Sequence, residues 1–310
     1  MTIKILAIET SCDDTCVALL HDLKIIWNKK ITHNHTKTYQ GVVPELSANE
    51  HLFNLQNIFE KINYEDFDYI AVTVGPGLIS SLNVGYFWAL TISELYNKIF
   101  IPVHHLEGHI FAVSLSQEIK YPSVALLVSG GHSQIYYLKS FGNYELLIDS
   151  LDDSAGEVLD KVAKKYNLGF PGGPIIEKLA QKSTKESTLI PMRDKPFFSF
   201  SGLKTRYLNL SWPLEDICSS LEKTLGETFK NKLDLISKPY ENLLFVGGVS
   251  ANIYLNKLLQ NYKLLNVDIQ FSSDNAAMIG ASSFFHILHK TNKINNKDIL
   301  PFARLSLDLW

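Results

Sequence analysis

Apolar residues fall into short runs closed by polar or glycine turns. These alternate with longer segments in which apolar positions recur every three or four residues. Residues 3–9 read as a buried strand. The polar turn Thr10-Ser11-Cys12-Asp13-Asp14-Thr15 follows, and the runs 16–20 and 23–27 then predict an antiparallel start. The spacing of Leu46, Leu52, Phe53, Leu55, Ile58, Phe59 and Ile62 predicts a helix over 44–62, opened by Pro44. A strand over 69–74 runs into Gly75-Pro76-Gly77. A helix over 80–96 and a strand over 99–103 lead to His105.

The pattern then begins again. A strand over 124–128 ends in Ser129-Gly130-Gly131-His132-Ser133, and strands over 134–138 and 144–148 follow. Helices are predicted over 154–166, 174–182 and 214–236. A strand over 242–246 runs into Gly247-Gly248-Val249-Ser250-Ala251-Asn252 and another helix. A strand over 267–271 and a helix over 275–289 complete the pattern. The repetition predicts two α/β halves with a cleft between them.

Composition narrows the class. The chain has 310 residues, 46% hydrophobic and 20% charged, which suits a soluble globular protein. A net charge of -3 gives no global basic field, so any nucleic-acid contact must come from local patches or partner proteins. Basic clusters stand at Lys29-Lys30, Lys161 with Lys164-Lys165, and Lys204-Thr205-Arg206; such runs are commonly just solvated faces. Cys12, Cys16 and Cys218 do not make a disulfide scaffold and fit a reducing compartment. Cys12 and Cys16 resemble half a metal site, but no second Cys pair completes it. No apolar run is long enough to span a bilayer and no leader pattern opens the chain, so the expectation is a cytoplasmic protein without membrane contact.

The chemistry gathers at turns. In His105-Leu106-Glu107-Gly108-His109 the two histidines share a face, one turn apart, if the stretch is helical. Two such imidazoles can reach one metal ion, although the same pair also serves as ordinary surface or capping histidines. Asp274 is the candidate third ligand, because it too follows a predicted strand and opens a helix. Two histidines and one carboxylate with open positions suit Fe(II) or Zn(II).

Glycine turns follow strands or precede helices at Gly75-Pro76-Gly77, Ser129-Gly130-Gly131, Gly172-Gly173 and Gly247-Gly248. Backbone N–H groups in such turns can approach a phosphate, and a following helix adds a favourable dipole. None is a Walker A loop or a G-x-G-x-x-G fingerprint. Several together at strand ends favour nucleotide binding over plain turn chemistry. Asp13 and Asp14 suit either a metal or water at a phosphate, or an Asx turn. Asp160, on the helix behind Ser154, suits either a solvated face or acceptance from ribose hydroxyls. Asn252 suits either a sugar or base contact or a helix cap. The strip Phe197-Phe198-Ser199-Phe200-Ser201-Gly202-Leu203-Lys204-Thr205 mixes aromatics with a cation, as nucleic-acid surfaces do, but Phe more often docks into a core.

The motifs Glu9-Thr10-Ser11-Cys12-Asp13, Val42-Val43-Pro44-Glu45-Leu46, Gly75-Pro76-Gly77-Leu78, His105-Leu106-Glu107-Gly108-His109, Leu127-Val128-Ser129-Gly130-Gly131-His132, Phe170-Pro171-Gly172-Gly173-Pro174, Ser199-Phe200-Ser201-Gly202-Leu203-Lys204-Thr205, Gly247-Gly248-Val249-Ser250-Ala251-Asn252 and Ser273-Asp274-Asn275-Ala276-Ala277-Met278 occur in order. In this the chain resembles the bacterial TsaD family of tRNA N6-adenosine threonylcarbamoyltransferases, over nearly its whole length.

The resemblance implies an actin-like (sugar kinase/Hsp70-type) two-lobed α/β fold with an interlobe cleft. Its N-terminal lobe would span 1–118 and its C-terminal lobe 119–310. It implies transfer of threonylcarbamoyl from threonylcarbamoyl-AMP to N6 of the adenosine 3′ of the anticodon, in tRNAs reading codons that begin with A. His105, His109 and Asp274 would hold one Fe(II), or Zn(II). Val128, Ser129, Gly130, Gly131, His132, Asp160, Gly173, Glu177 and Asn252 would line the site of the substrate and an ATP/AMP-type nucleotide. A TsaB-like paralogue and a TsaE-like ATPase are the implied partners. Departures stand at Asp14, where the family usually has Glu, at Leu90, where Lys is common, and at Phe198 and Glu177, where Asp is common.

Three other readings compete. Members of the family have been labelled metalloproteases, but in H-E-x-x-H the base follows the first His directly. Glu107 is two residues after His105, about 200° around a helix. A small-molecule kinase of the same fold would need a cleft acid and no His pair. A non-catalytic nucleotide-binding scaffold would lack the ligands.

Overall fold

The computed structural model describes residues 2–39, 41–185 and 195–310. They form two compact units, Met1–Glu118 with Ser273–Trp310, and Ile119–Ser272.

In the first unit β1 (Lys4–Glu9), β2 (Asp14–His21) and β3 (Lys24–Thr32) form an antiparallel meander. α1 (His35–Tyr39) and α2 (Pro44–Phe59) follow. β4 (Tyr69–Gly75), α3 (Ile79–Leu95) and β5 (Ile99–His104) then extend the sheet in parallel on the other side of β1, giving the order β3-β2-β1-β4-β5. β1 is apolar and buried almost throughout because it is central and covered on both faces; β3 alternates half-buried and exposed positions because it is an edge. α4 (His105–Phe111) follows β5 directly.

The second unit repeats the plan. β6 (Ser123–Val128), β7 (Ser133–Ser140) and β8 (Asn143–Ile148) form the meander. α5 (Ala155–Lys165), α6 (Gly172–Ala180), α7 (Ser201–Leu208) and α8 (Leu214–Leu233) precede β9 (Leu243–Val246), α9 (Ile253–Leu259) and β10 (Leu264–Asn266). The sheet order is β10-β9-β6-β7-β8, with β6, β9 and β10 parallel. The core of this unit joins Val124, Leu126 and Val128 of β6 to Val158 and Val162 of α5 and Leu221 and Leu225 of α8.

Three departures from the sequence expectation have identifiable physical causes. Residues 273–310, expected in the second lobe, group with the first unit. Their helix, α10 (Ala276–Leu288), lies so close to β2 that a Cβ on Gly280 would stand 2.4 Å from Leu20 Cδ1. The tail bonds the same sheet, Phe302 N–H to Val74 O at 2.9 Å and Asn295 N–H to Phe100 O at 2.7 Å. The strand expected over 267–271 is instead β10 just before it, followed by a 3-10 turn at Ile269–Phe271. Asp268 interrupts the apolar run and caps that turn. Helix α7 falls where an aromatic strip is read in sequence. Its start carries no local cap, because the remote Asp152 carboxylate takes the N–H groups of Phe200 (2.6 Å) and Ser201 (3.2 Å). Among the described residues no helix is long and apolar enough to cross a membrane.

Candidate functional site

The first unit assembles one cluster from three separate segments. His104 caps α4, its Nδ1 accepting from Leu106 N–H at 3.2 Å. This starts the helix at His105 and puts His109 one turn on, with ring centroids 4.7 Å apart. Gly108 lets α4 lie against α10, since a Cβ there would stand 2.8 Å from Ile279 Cδ1. Asn275 caps α10, accepting from Met278 N–H at 3.0 Å, so the preceding Asp274 is held at the helix mouth. Asp274 Oδ1 lies 3.2 Å from His109 Nε2 and 3.7 Å from His105 Nε2. One ligand atom from each of the three residues lies within 4.8 Å of the others.

The donor set suits a cation. His109 is buried, its Nδ1 has no hydrogen-bond partner, and its Nε2 faces only the Asp274 carboxylate at 3.2 Å, a costly state for an imidazole. His105 Nδ1 faces Glu9 Oε2 at 3.0 Å, which leaves Nε2 as the nitrogen turned to Asp274. Glu9 is itself held by Ser11 N–H and Thr73 Oγ1, each at 2.5 Å. This carboxylate–histidine pair is the usual outer support of a metal-binding imidazole. In the sequence Glu9 stands only within a motif, and a carboxylate ending an otherwise apolar strand is the signal for its role.

Charge points the same way. Burial opposes ionisation of His105, but Glu9 and Asp274 outweigh it and push its pKa to about 9. Burial likewise opposes the Asp274 carboxylate, and His105 and His109 outweigh it, holding Asp274 below the usual carboxylate range. Asp13 is pushed up to about 6 by burial and by Asp14 and Asp274. Asp14 is tied to Lys30 Nζ at 2.6 Å and accepts from Thr32 Oγ1 at 2.6 Å, and Lys30 Nζ reaches Asp274 O at 3.1 Å. Several carboxylates thus crowd around one lysine and one histidine, and an added cation relieves that field.

The second unit arranges three of the four glycine turns, at Ser129-Gly130-Gly131, Gly172-Gly173 and Gly247-Gly248. After Val128 the turn closes with Ser129 N–H donating to His132 O at 2.8 Å and His132 N–H to Ser129 Oγ at 3.1 Å; Gly130 and Gly131 are exposed. The Ser154 hydroxyl donates to Gly130 O at 2.6 Å and accepts from Glu157 N–H at 3.1 Å, so it caps α5 and fixes the turn together. A Cβ on Gly156 would stand 2.3 Å from Ser129 O, and one on Gly247, at φ +89°, 2.5 Å from Val128 O. Only glycine permits these approaches, which set the Gly247-Gly248 turn against the end of β6.

Asp160 Oδ1 accepts Gly172 N–H at 2.7 Å and so ties α5 to the start of α6, next to Gly173. Glu177 Oε1 accepts Ile253 N–H at 2.7 Å. Asn252 caps α9 through Leu255 N–H at 2.8 Å and donates from Nδ2 to Glu222 Oε1 at 2.6 Å. The buried Glu222, its pKa raised by burial, is a polar residue of this group that the sequence did not single out. Phe198 and Phe200 are fully buried, so the aromatic strip is core. Lys204 of that strip is paired with Asp153 at 2.6 Å.

The fold is α/β of the actin-like type, and its first unit carries a two-histidine, one-carboxylate group. The structure resembles the activator of 2-hydroxyisocaproyl-CoA dehydratase from Clostridium difficile (TM-score 0.59, 14% identity, 93% of this chain and 97% of that one). It also resembles HypF from T. kodakarensis (TM-score 0.64, 13% identity, 97% of this chain and 49% of that one). The family model "TsaD: tRNA N6-adenosine threonylcarbamoyltransferase" matches residues 24–281. Relatives named tRNA N6-adenosine threonylcarbamoyltransferase include those of Mycoplasma mobile (39% identity, 91% of this chain, 98% of the relative) and Rickettsia conorii (37%, 99% and 98%). The chain belongs to the TsaD family of tRNA-modifying transferases.

Proposed function

We propose that this transferase carries threonylcarbamoyl from threonylcarbamoyl-AMP to N6 of the adenosine 3′ of the anticodon, in tRNAs reading codons that begin with A. Besides family membership, one observation carries the reading: His105, His109 and Asp274 bring ligand atoms within 4.8 Å of one another, with the buried His109 turned to the Asp274 carboxylate at 3.2 Å.

The adenine N6 amine is a weak nucleophile because its lone pair is delocalised into the ring. The donor must therefore be activated, and a mixed anhydride with AMP is. The protein's work is to position donor and amine and to stabilise charge on the carbamoyl oxygen and the departing phosphate. His105, His109 and Asp274 would hold Fe(II), with Zn(II) also suited to these donors. When bound, that ion supplies Lewis-acid charge and a template at the reacting group. Glu9 holds the proton at His105 Nδ1 and so keeps Nε2 turned to the centre. The exposed backbone at Gly130 and Gly131 offers N–H donors to an AMP phosphate. Val128, Ser129 and His132 shape that turn, while Asp160, Gly173, Glu177 and Asn252 are assigned to the rest of the substrate. A TsaB-like paralogue and a TsaE-like ATPase complete the system, and the reaction is assigned to the cytoplasm.

The test incubates the chain with both partners, Fe(II), threonylcarbamoyl-AMP and unmodified tRNA bearing adenosine 3′ of the anticodon. Nucleosides are weighed after digestion. Threonylcarbamoyladenosine is expected; its absence with all components verified would overturn the reading.

A further inference from the structure

The first unit holds a second group of metal-type donors. His33 ends the β3 connection, His35 opens α1 and Glu50 lies within α2. One ligand atom from each lies within 4.8 Å of the other two. His33 is fully buried and His35 nearly so. Glu50 Oε1 is 2.7 Å from His35 Nδ1, and its Oε2 accepts Asn34 N–H at 3.0 Å. The carboxylate is therefore fixed in place by the backbone between the two histidines.

The hydrogen bonds behind the group fix which lone pair it presents. His51 Nε2 is 3.1 Å from Cys12 O, a carbonyl that can only accept, so Nε2 carries the proton. His51 Nδ1 is then an acceptor in the neutral ring and takes the proton of Thr15 Oγ1 at 2.8 Å. Thr15 has no second proton to give. His33 Nε2, at 2.9 Å, must therefore donate to Thr15 Oγ1, which also accepts from Asn54 Nδ2 at 3.2 Å. The neutral His33 ring is left with a bare lone pair on Nδ1. That is the very atom that is buried without a hydrogen-bond partner. Burial favours the neutral state of both rings, with pKa values of about 4.

We propose that His33 Nδ1, His35 Nδ1 and the Glu50 carboxylate form a second divalent-metal site, of the Zn(II) type, separate from the His105–His109–Asp274 centre. Two imidazole nitrogens and one carboxylate are an ordinary Zn(II) donor set. Thr15 and His51 behind His33 are its outer support, which sets the tautomer as such partners do. Binding moves the His35 proton from Nδ1 to Nε2. The long contact from Val43 N–H to Nε2 (3.3 Å) is then exchanged for donation to Ser47 Oγ, also at 3.3 Å. The bound ion would fasten the β3–α2 connection to α2, a structural role independent of the transfer chemistry.

The test uses the full chain with Asp274→Asn, which disables the first centre, after chelator treatment and dialysis. ZnCl2 is titrated by calorimetry. One Zn(II) per chain is expected, with affinity at least tenfold weaker after adding either Glu50→Gln or His33→Asn. Glu50→Gln keeps the acceptor for Asn34 N–H, and circular dichroism checks that each variant is folded. No Zn(II) binding in the Asp274→Asn chain, or less than a tenfold change in both added variants, would overturn the proposal.

Discussion

The Glu107 carboxylate, which sits between His105 and His109 in sequence, is committed to His286 Nε2 at 2.8 Å and to the Ser282 hydroxyl at 2.7 Å. It is fully buried and binds α4 to α10. The acid that a metalloprotease reading would cast as the base is thus part of the support that holds His105 and His109 opposite Asp274. Replacing it takes the carboxylate away from the buried His286 Nε2. Glu107→Ala is expected to cost about 1.5–3 kcal/mol of stability, the range for hydrogen bonds to a charged group. Urea denaturation measures this, and a loss below about 0.5 kcal/mol would contradict the anchoring role.

Glu9 acts on the centre through His105. Glu9→Gln keeps the shape but removes the carboxylate that holds the proton on Nδ1. Metal affinity at the His105–His109–Asp274 centre is expected to fall about 10- to 100-fold, as for other outer partners of metal-binding histidines. A competition titration against a chelator reads the change. An unaltered affinity would remove Glu9 from the centre.

Asp160 gives a pH signature in the second unit. Burial holds its carboxyl above the ordinary carboxylate value, against the lowering effect of Gly172 N–H. The folded state therefore keeps this proton more tightly than the unfolded state. The stability it contributes is complete below the unfolded pKa and is lost as pH rises through the folded one. Asp160→Asn preserves an acceptor for Gly172 N–H and is expected to flatten that part of the stability–pH curve. Asp160→Ala loses the acceptor and is expected to cost about 1 kcal/mol, as for other helix-cap losses. Denaturation midpoints across the acidic range check both.

Much of this arrangement was legible in the chain. The alternation of apolar runs and glycine turns marks the strands because central strands such as β1 and β6 are buried along nearly their whole length. The His105–His109 spacing marks a shared helical face, and α4 supplies it. What escaped depends on contacts remote in sequence. The placement of residues 273–310 rests on Gly280 meeting Leu20, and the start of α7 rests on Asp152. Neither leaves a periodic trace. The strand expected over 267–271 failed because a capping Asp268 outweighs the flanking apolar residues. The group of His33, His35 and Glu50 was missed because its members come from a strand end, a short helix and a long one, and only the folded meander brings them together.

The most direct measurement is a paired one on wild type and His109→Ala. It reads metal bound per chain and threonylcarbamoyladenosine formed on tRNA in the reconstituted system. The variant is expected to lose one ion per chain and to lose modification with it. Full modification by a His109→Ala chain that has lost that ion would contradict the central claim that this centre serves the transfer.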